Sequence, residues 1–187
     1  MQYNHQPCHL LARHCGAVLL GKKPAGLFSI EDDSDMIDSV GRLAQTGSLK
    51  TAVLHSERGR ALLLVYSPQL LEQALSHKTA RKMLERFEYP QEIDTELLLS
   101  RLKERIGEDK GFPHEIGFFL GYPPADVVGF IIYGGKNSKH SCMWKVYGSV
   151  EAAKSLCALY RECQAFCSSH LESFGELPTL AASFEAN

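Results

Sequence analysis

The stretch Thr51-Ala52-Val53-Leu54-His55-Ser56-Glu57-Arg58-Gly59-Arg60-Ala61-Leu62-Leu63-Leu64-Val65-Tyr66 decides the fold class. Two apolar, β-branched-containing runs are separated by a short polar segment with glycine in the turn. This is the pattern of a β-hairpin, and a hairpin makes antiparallel strands. The second run is apolar on both faces, which places it centrally in a sheet. Upstream, Leu27-Phe28-Ser29-Ile30 supplies another apolar path, while Ala17-Val18-Leu19-Leu20 reads as a short strand or buried turn.

Helices surround these strands. Asp32, Asp33 and Ser34 offer N-caps for a helix to about Gln45, ended near Gly47. Ser67-Pro68 starts a helix running to about Phe87, and Thr95 caps one that Gly107 closes. The block Phe112–Tyr147 predicts a short helix from His114 to Leu120 and another from Ala125 to about Ile132. A turn at Gly134-Gly135 follows, then an alternating strand from Ser141 to Tyr147. A long helix runs from about Val150 to His170. The expected fold is α+β: a small, mostly antiparallel sheet of three to five strands packed against several helices. A three-layer α/β arrangement is the alternative, although its glycine-rich strand-to-helix loop is missing. Length favours a single domain over 1–187, with a compact core at about 10–172 and a loose tail at 175–187.

Composition excludes several function classes. The chain has 187 residues, 44% hydrophobic and 22% charged, with 20 Lys+Arg against 22 Asp+Glu. A net charge of −2 speaks against a nucleic-acid backbone as main partner. No secretory signal opens the chain, because Arg13 and His14 interrupt its first apolar run. No run approaches the roughly 18 apolar residues of a membrane span. The cytoplasm is the expected compartment, and free thiols are expected for Cys8, Cys15, Cys142, Cys157, Cys163 and Cys167.

Several motifs resemble a known family. They are Phe112-Pro113-His114-Glu115-Ile116-Gly117, Phe119-Leu120-Gly121-Tyr122-Pro123, Asp126-Val127, Gly129-Phe130 and Trp144-Lys145-Val146-Tyr147. Together with His14-Cys15, Gly21-Lys22 and Leu64-Val65-Tyr66, they resemble the bacterial domain-of-unknown-function family DUF3793 over about residues 10–165. One departure is Gly16-Ala17-Val18, where the family carries Ala-Pro-Thr. The resemblance implies a fold family and no reaction.

His114 and Glu115 lack the second histidine of a zincin motif; they supply an acid/base pair or cap a short helix. Gly117, Gly121 and Gly129 bring backbone close to a ligand or to a packed helix. Cys163, Cys167 and His170 share a helix face with metal-ligand chemistry. That face also carries Ala153, Leu156 and Tyr160, which makes it a core face, so no metal is expected. Lys136, Lys139, His140 and Lys145 form a small basic patch suited to an anion.

Two functions stand from this reading. The first is a non-catalytic accessory module binding a small ligand, anionic or neutral, a cofactor or a partner protein. Its binding residues are Lys22, His114, Tyr122, Trp144 and Lys145. The second is a small enzyme with Cys15 as nucleophile and His114 as acid/base, with Glu115 beside it. No cofactor motif is complete, and nothing in the pattern specifies an oligomer.

Overall fold

The computed structural model describes residues 6–108 and 112–178. Within them the chain is α+β and forms two compact units, residues 6–68 with 159–178, and residues 69–108 with 112–158. The last nine residues of the expected loose tail, 179–187, lie outside the described residues.

The first unit is built on an antiparallel three-stranded sheet. Its strands are β1 (Ala25–Glu31), β2 (Lys50–Glu57) and β3 (Arg60–Tyr66), in the order β1-β3-β2. The central place of β3 follows from its sequence. Ala61, Leu63, Leu64, Val65 and Tyr66 are all buried, which an edge strand with one wet face does not need. The β2–β3 turn is Arg58-Gly59, with φ of 51° and 72°. Positive φ at both turn positions matches the right-handed twist of the flanking strands. β2 pairs irregularly between Val53 and His55, a bulge at Leu54.

Two helices, α1 (Gln6–Leu19) and α2 (Ser34–Thr46), pack with this sheet. Residues 17–19 are therefore helical rather than the short strand or buried turn expected, with a turn at Leu20. The buried set Leu11, Ala12, Cys15, Val18 and Leu19 has helical spacing, and tertiary burial overrides the local look of the Ala17–Leu20 run. Asp33 caps α2, its carboxylate accepting from Asp35 N at 2.8 Å, and Gly47 ends it.

The second unit is mainly helical. The helix expected from Pro68 to Phe87 is two, α3 (Pro68–Leu75) and α4 (Lys78–Arg86). At the break, Ser76 Oγ donates to Glu72 O at 2.6 Å, and His77 Nδ1 caps α4 by accepting from Thr79 N at 3.2 Å. Competing local hydrogen bonds of this kind divert a backbone from a continuous helix. The helix α5 (Thr95–Gly107) is capped by Asp94 rather than Thr95. The helices α6 (Ile116–Phe119) and α7 (Pro124–Tyr133) follow, joined through Gly121 at φ 70°. The strand expected from Ser141 to Tyr147 is instead a hairpin of β4 (His140–Ser141) and β5 (Lys145–Val146), with Cys142, Met143 and Trp144 in its turn. The alternation of these residues mimics a strand, but their contacts are made by a reversal.

The helix α8 (Val150–Phe174) gives its first turns to the second unit and the rest to the first. Cys142 and Cys157 are disulfide-bonded, Cα–Cα 6.6 Å, which corrects the expectation of six free thiols. The separation of 15 residues in sequence carries no hint of the proximity that the hairpin creates. Cys8, Cys15, Cys163 and Cys167 are free.

Close approach explains the departure at Gly16. A Cβ there would stand 2.9 Å from Gln164 Cα and 3.0 Å from Cys163 O, so α1 meets α8 backbone to backbone. Lys23 is buried beside this contact, its Nζ 5.4 Å from the Tyr160 ring centroid. Burial lowers the Lys23 pKa to about 8, the nearby Cys15 partly opposing the shift. The folded state then binds this proton more weakly than the unfolded chain. The resulting penalty is fully present below pH 8 and is relieved as pH rises toward the ordinary lysine value of 10.5. Lys23→Met is expected to raise unfolding free energy by roughly 1–3 kcal/mol at pH 7, with a smaller gain at pH 10. Urea denaturation of both proteins at the two pH values checks the sign; an equal gain at each would count against it.

Candidate functional site

The second unit contains a half-open cavity of about 410 Å³. Three successive segments line it. The loop into α6 and the helix itself give Phe112, His114, Ile116, Gly117 and Leu120. The α6–α7 connection and α7 give Tyr122, Asp126, Val127 and Phe130, and the hairpin gives Ser141 to Lys145. The lining is mostly apolar and aromatic, and the volume is in the range of small-molecule sites.

The aromatic groups are ordered by one another. The Tyr122 and Trp144 rings stack at 4.8 Å, 22° apart. The His114 ring meets Phe130 edge-on at 4.8 Å. These are favourable arrangements for ring quadrupoles. Burial pushes the Tyr122 phenol above its ordinary range, so it stays protonated at neutral pH.

Asp126 holds the third segment against the second. Its carboxylate is 2% exposed and accepts three hydrogen bonds of 2.7 Å: from Trp144 Nε1, Tyr147 N and Gly148 N. The hairpin adds Lys139 N to Val146 O at 2.8 Å and Cys142 N to Trp144 O at 3.1 Å. Gly129 permits the same packing: a Cβ there would lie 2.3 Å from Tyr147 Cγ. A Cβ at Gly117 would meet Val127 Cγ2 at 2.8 Å. Both glycines therefore serve close packing, and Gly117 also faces the cavity.

His114, Tyr122, Trp144 and Lys145 line this cavity, with His114 and Lys145 exposed at its mouth. Lys22 is exposed in the first unit. Glu115 is 1% exposed, ion-paired with Arg105 and accepting from Tyr89 Oη at 3.2 Å. It thus anchors α5 and α6 and caps nothing by its side chain. Cys15 is 0% exposed on α1, with its pKa raised to about 12 by burial, against a partial pull from Lys23. It belongs to the first unit and His114 to the second. Cys163 and Cys167 are buried, Cys167 Sγ lying 3.6 Å from Gly16 O, and the His170 ring lies tilted between Phe166 and Phe174. Among the described residues no group of three or more His, Cys, Asp or Glu is arranged for a metal ion, and no helix is long and apolar enough to cross a membrane.

Asp126, Phe130 and Met143 also line the cavity, beyond the residues that the sequence points to. Asp126 and Phe130 are one helical turn apart, a spacing visible in sequence, but the partners that give them meaning arrive from the hairpin. The family model matching residues 11–181 is described as a protein of unknown function (DUF3793). No curated protein and no solved structure matches the chain.

Replacing Asp126 by Ala leaves three donors without their acceptor. It is expected to cost about 2–4 kcal/mol and to shift Trp144 emission to longer wavelength. Gly129→Ala is expected to cost about 1–3 kcal/mol by overpacking against Tyr147. Urea midpoints and the emission maximum of the single tryptophan read both.

Proposed function

Because the chain belongs to the DUF3793 family, whose description carries no reaction, we propose a function from the cavity itself: a binding module for a small, flat, largely apolar ligand bearing an anionic group. The observation that carries this reading is the lining. Tyr122, Trp144 and Phe130 offer ring faces and edges to a planar body. Lys145 lies exposed at the mouth, without an ion-pair partner among the described residues, and His114 lies exposed beside the same opening. A carboxylate, sulfonate or phosphate on the ligand would meet these two groups, while the apolar body displaces water from the rings.

The binding reading is favoured over catalysis by what the nearby acids do. Asp126 spends its acceptors on the hairpin, and Glu115 on Arg105 and Tyr89. The thiol of Cys15 is buried and held protonated at neutral pH. A nucleophile needs the opposite environment.

Trp144 is the single tryptophan of the chain and lines the cavity, so it reports occupancy directly. Titration with 1-anilinonaphthalene-8-sulfonate is expected to quench it with one-to-one saturation. Ser141→Phe, at an exposed lining position, is expected to abolish that signal. Lys145→Glu is expected to weaken the sulfonate probe by roughly threefold to tenfold while leaving the uncharged N-phenyl-1-naphthylamine unaffected. Probe binding that survives Ser141→Phe, or that is indifferent to Lys145, would sink the proposal.

A further inference from the structure

The cavity wall carries a feature that ligand binding does not explain. Cys142 lines the cavity from the tip of the β4–β5 turn and is disulfide-bonded to Cys157 on α8. The hairpin has only two residue pairs, His140 with Val146 and Ser141 with Lys145. A ladder of that size has little stability of its own. Its base and the Trp144 indole are gripped by Asp126, but the tip is tied down by the disulfide. Without that bond, Cys142 and Met143 keep a single backbone bond, Cys142 N to Trp144 O.

Two further observations mark the bridge as a device rather than a general staple. It is the one disulfide among six cysteines, so the chain is no disulfide scaffold. Its two sulfurs also differ in access: Cys157 is 1% exposed, whereas Cys142 is half-buried at the cavity lip. In a reducing compartment a disulfide is transient and serves catalysis or redox sensing.

We propose that the Cys142–Cys157 disulfide is a redox lock on the cavity, closed when oxidised and released by a cellular dithiol. This deepens the binding reading and rests on it for its consequence. The dithiol thiolate attacks Cys142 Sγ, the accessible sulfur. The Cys142–Cys157 bond breaks, and its electron pair leaves on Cys157 Sγ, which takes up a proton. The second thiol of the dithiol then displaces Cys142 from the mixed disulfide. The protein gains two thiols, and the dithiol departs as its own disulfide. The freed tip no longer holds Cys142 and Met143 in a fixed geometry beside the Asp126-held Trp144, so a ligand must order them on binding and solvent reaches the indole more often.

The test compares the intact protein before and after dithiothreitol, with iodoacetamide peptide mapping to establish the state of each cysteine. Cys142 and Cys157 are expected to alkylate only after reduction. The dissociation constant of 1-anilinonaphthalene-8-sulfonate is expected to rise roughly fivefold or more on reduction, and acrylamide quenching of Trp144 to increase. The Cys142→Ser/Cys157→Ser double variant is expected to match the reduced protein and to ignore dithiothreitol. Mapping that finds no Cys142–Cys157 link in untreated or diamide-oxidised protein overturns the lock. Unchanged probe affinity and unchanged Trp144 quenching in protein with both thiols alkylated overturn it too. If neither form binds the probe while Trp144 quenching still responds to reduction, the lock stands and the binding reading fails.

Discussion

Asp126 is the constraint on which the candidate site depends. A buried carboxylate is costly unless its lone pairs are filled. Here three N–H groups fill them, and all three come from one short segment, Trp144 to Gly148. The cost of burying the charge and the cost of ordering an intrinsically weak hairpin are thus offset by the same bonds. The result is a fixed relation between α7 and the hairpin, with Trp144 presented beside Tyr122. Gly129 makes the approach possible, because any side chain there would occupy the space of Tyr147.

The other buried ion in this unit acts on a different joint. Glu115, Arg105 and Tyr89 bring α5, α6 and the segment after α4 together. Arg105 also lies 4.8 Å over the Phe87 ring. Both buried carboxylates hold together segments of the chain that have few backbone hydrogen bonds between them. In the first unit the corresponding constraint is steric. Gly16 lets α1 reach the backbone of α8, and Gly26 lets β1 pass Cys15 Sγ, where a Cβ would lie at 2.8 Å. The buried thiols there fill space as small apolar groups.

The sheet was legible because its signals are local. A turn with glycine, two β-branched runs and one run apolar on both faces require antiparallel pairing and the central place of β3. The block holding the cavity was legible as a block, through its density of glycine, proline and aromatics. His114, Tyr122, Trp144 and Lys145 were named from it as binding residues, and the fold gathers them around one opening. The errors share a cause. The Ala17–Leu20 run, the Ser141–Tyr147 run and the single helix from Pro68 are each consistent with two local structures. Contacts distant in sequence chose between them.

Residue identity and period alone determined the α+β class, the hairpin, most helix boundaries and the family resemblance. These depend on capping, turn chemistry and side-chain alternation within a few residues. Only the tertiary structure decided that Asp126 serves the hairpin and Glu115 serves Arg105. It also decided that Cys142 bonds Cys157 and that Cys15 is sealed from solvent. Those outcomes depend on which groups become neighbours once the chain is folded, and a buried charge or thiol acquires its chemistry from those neighbours.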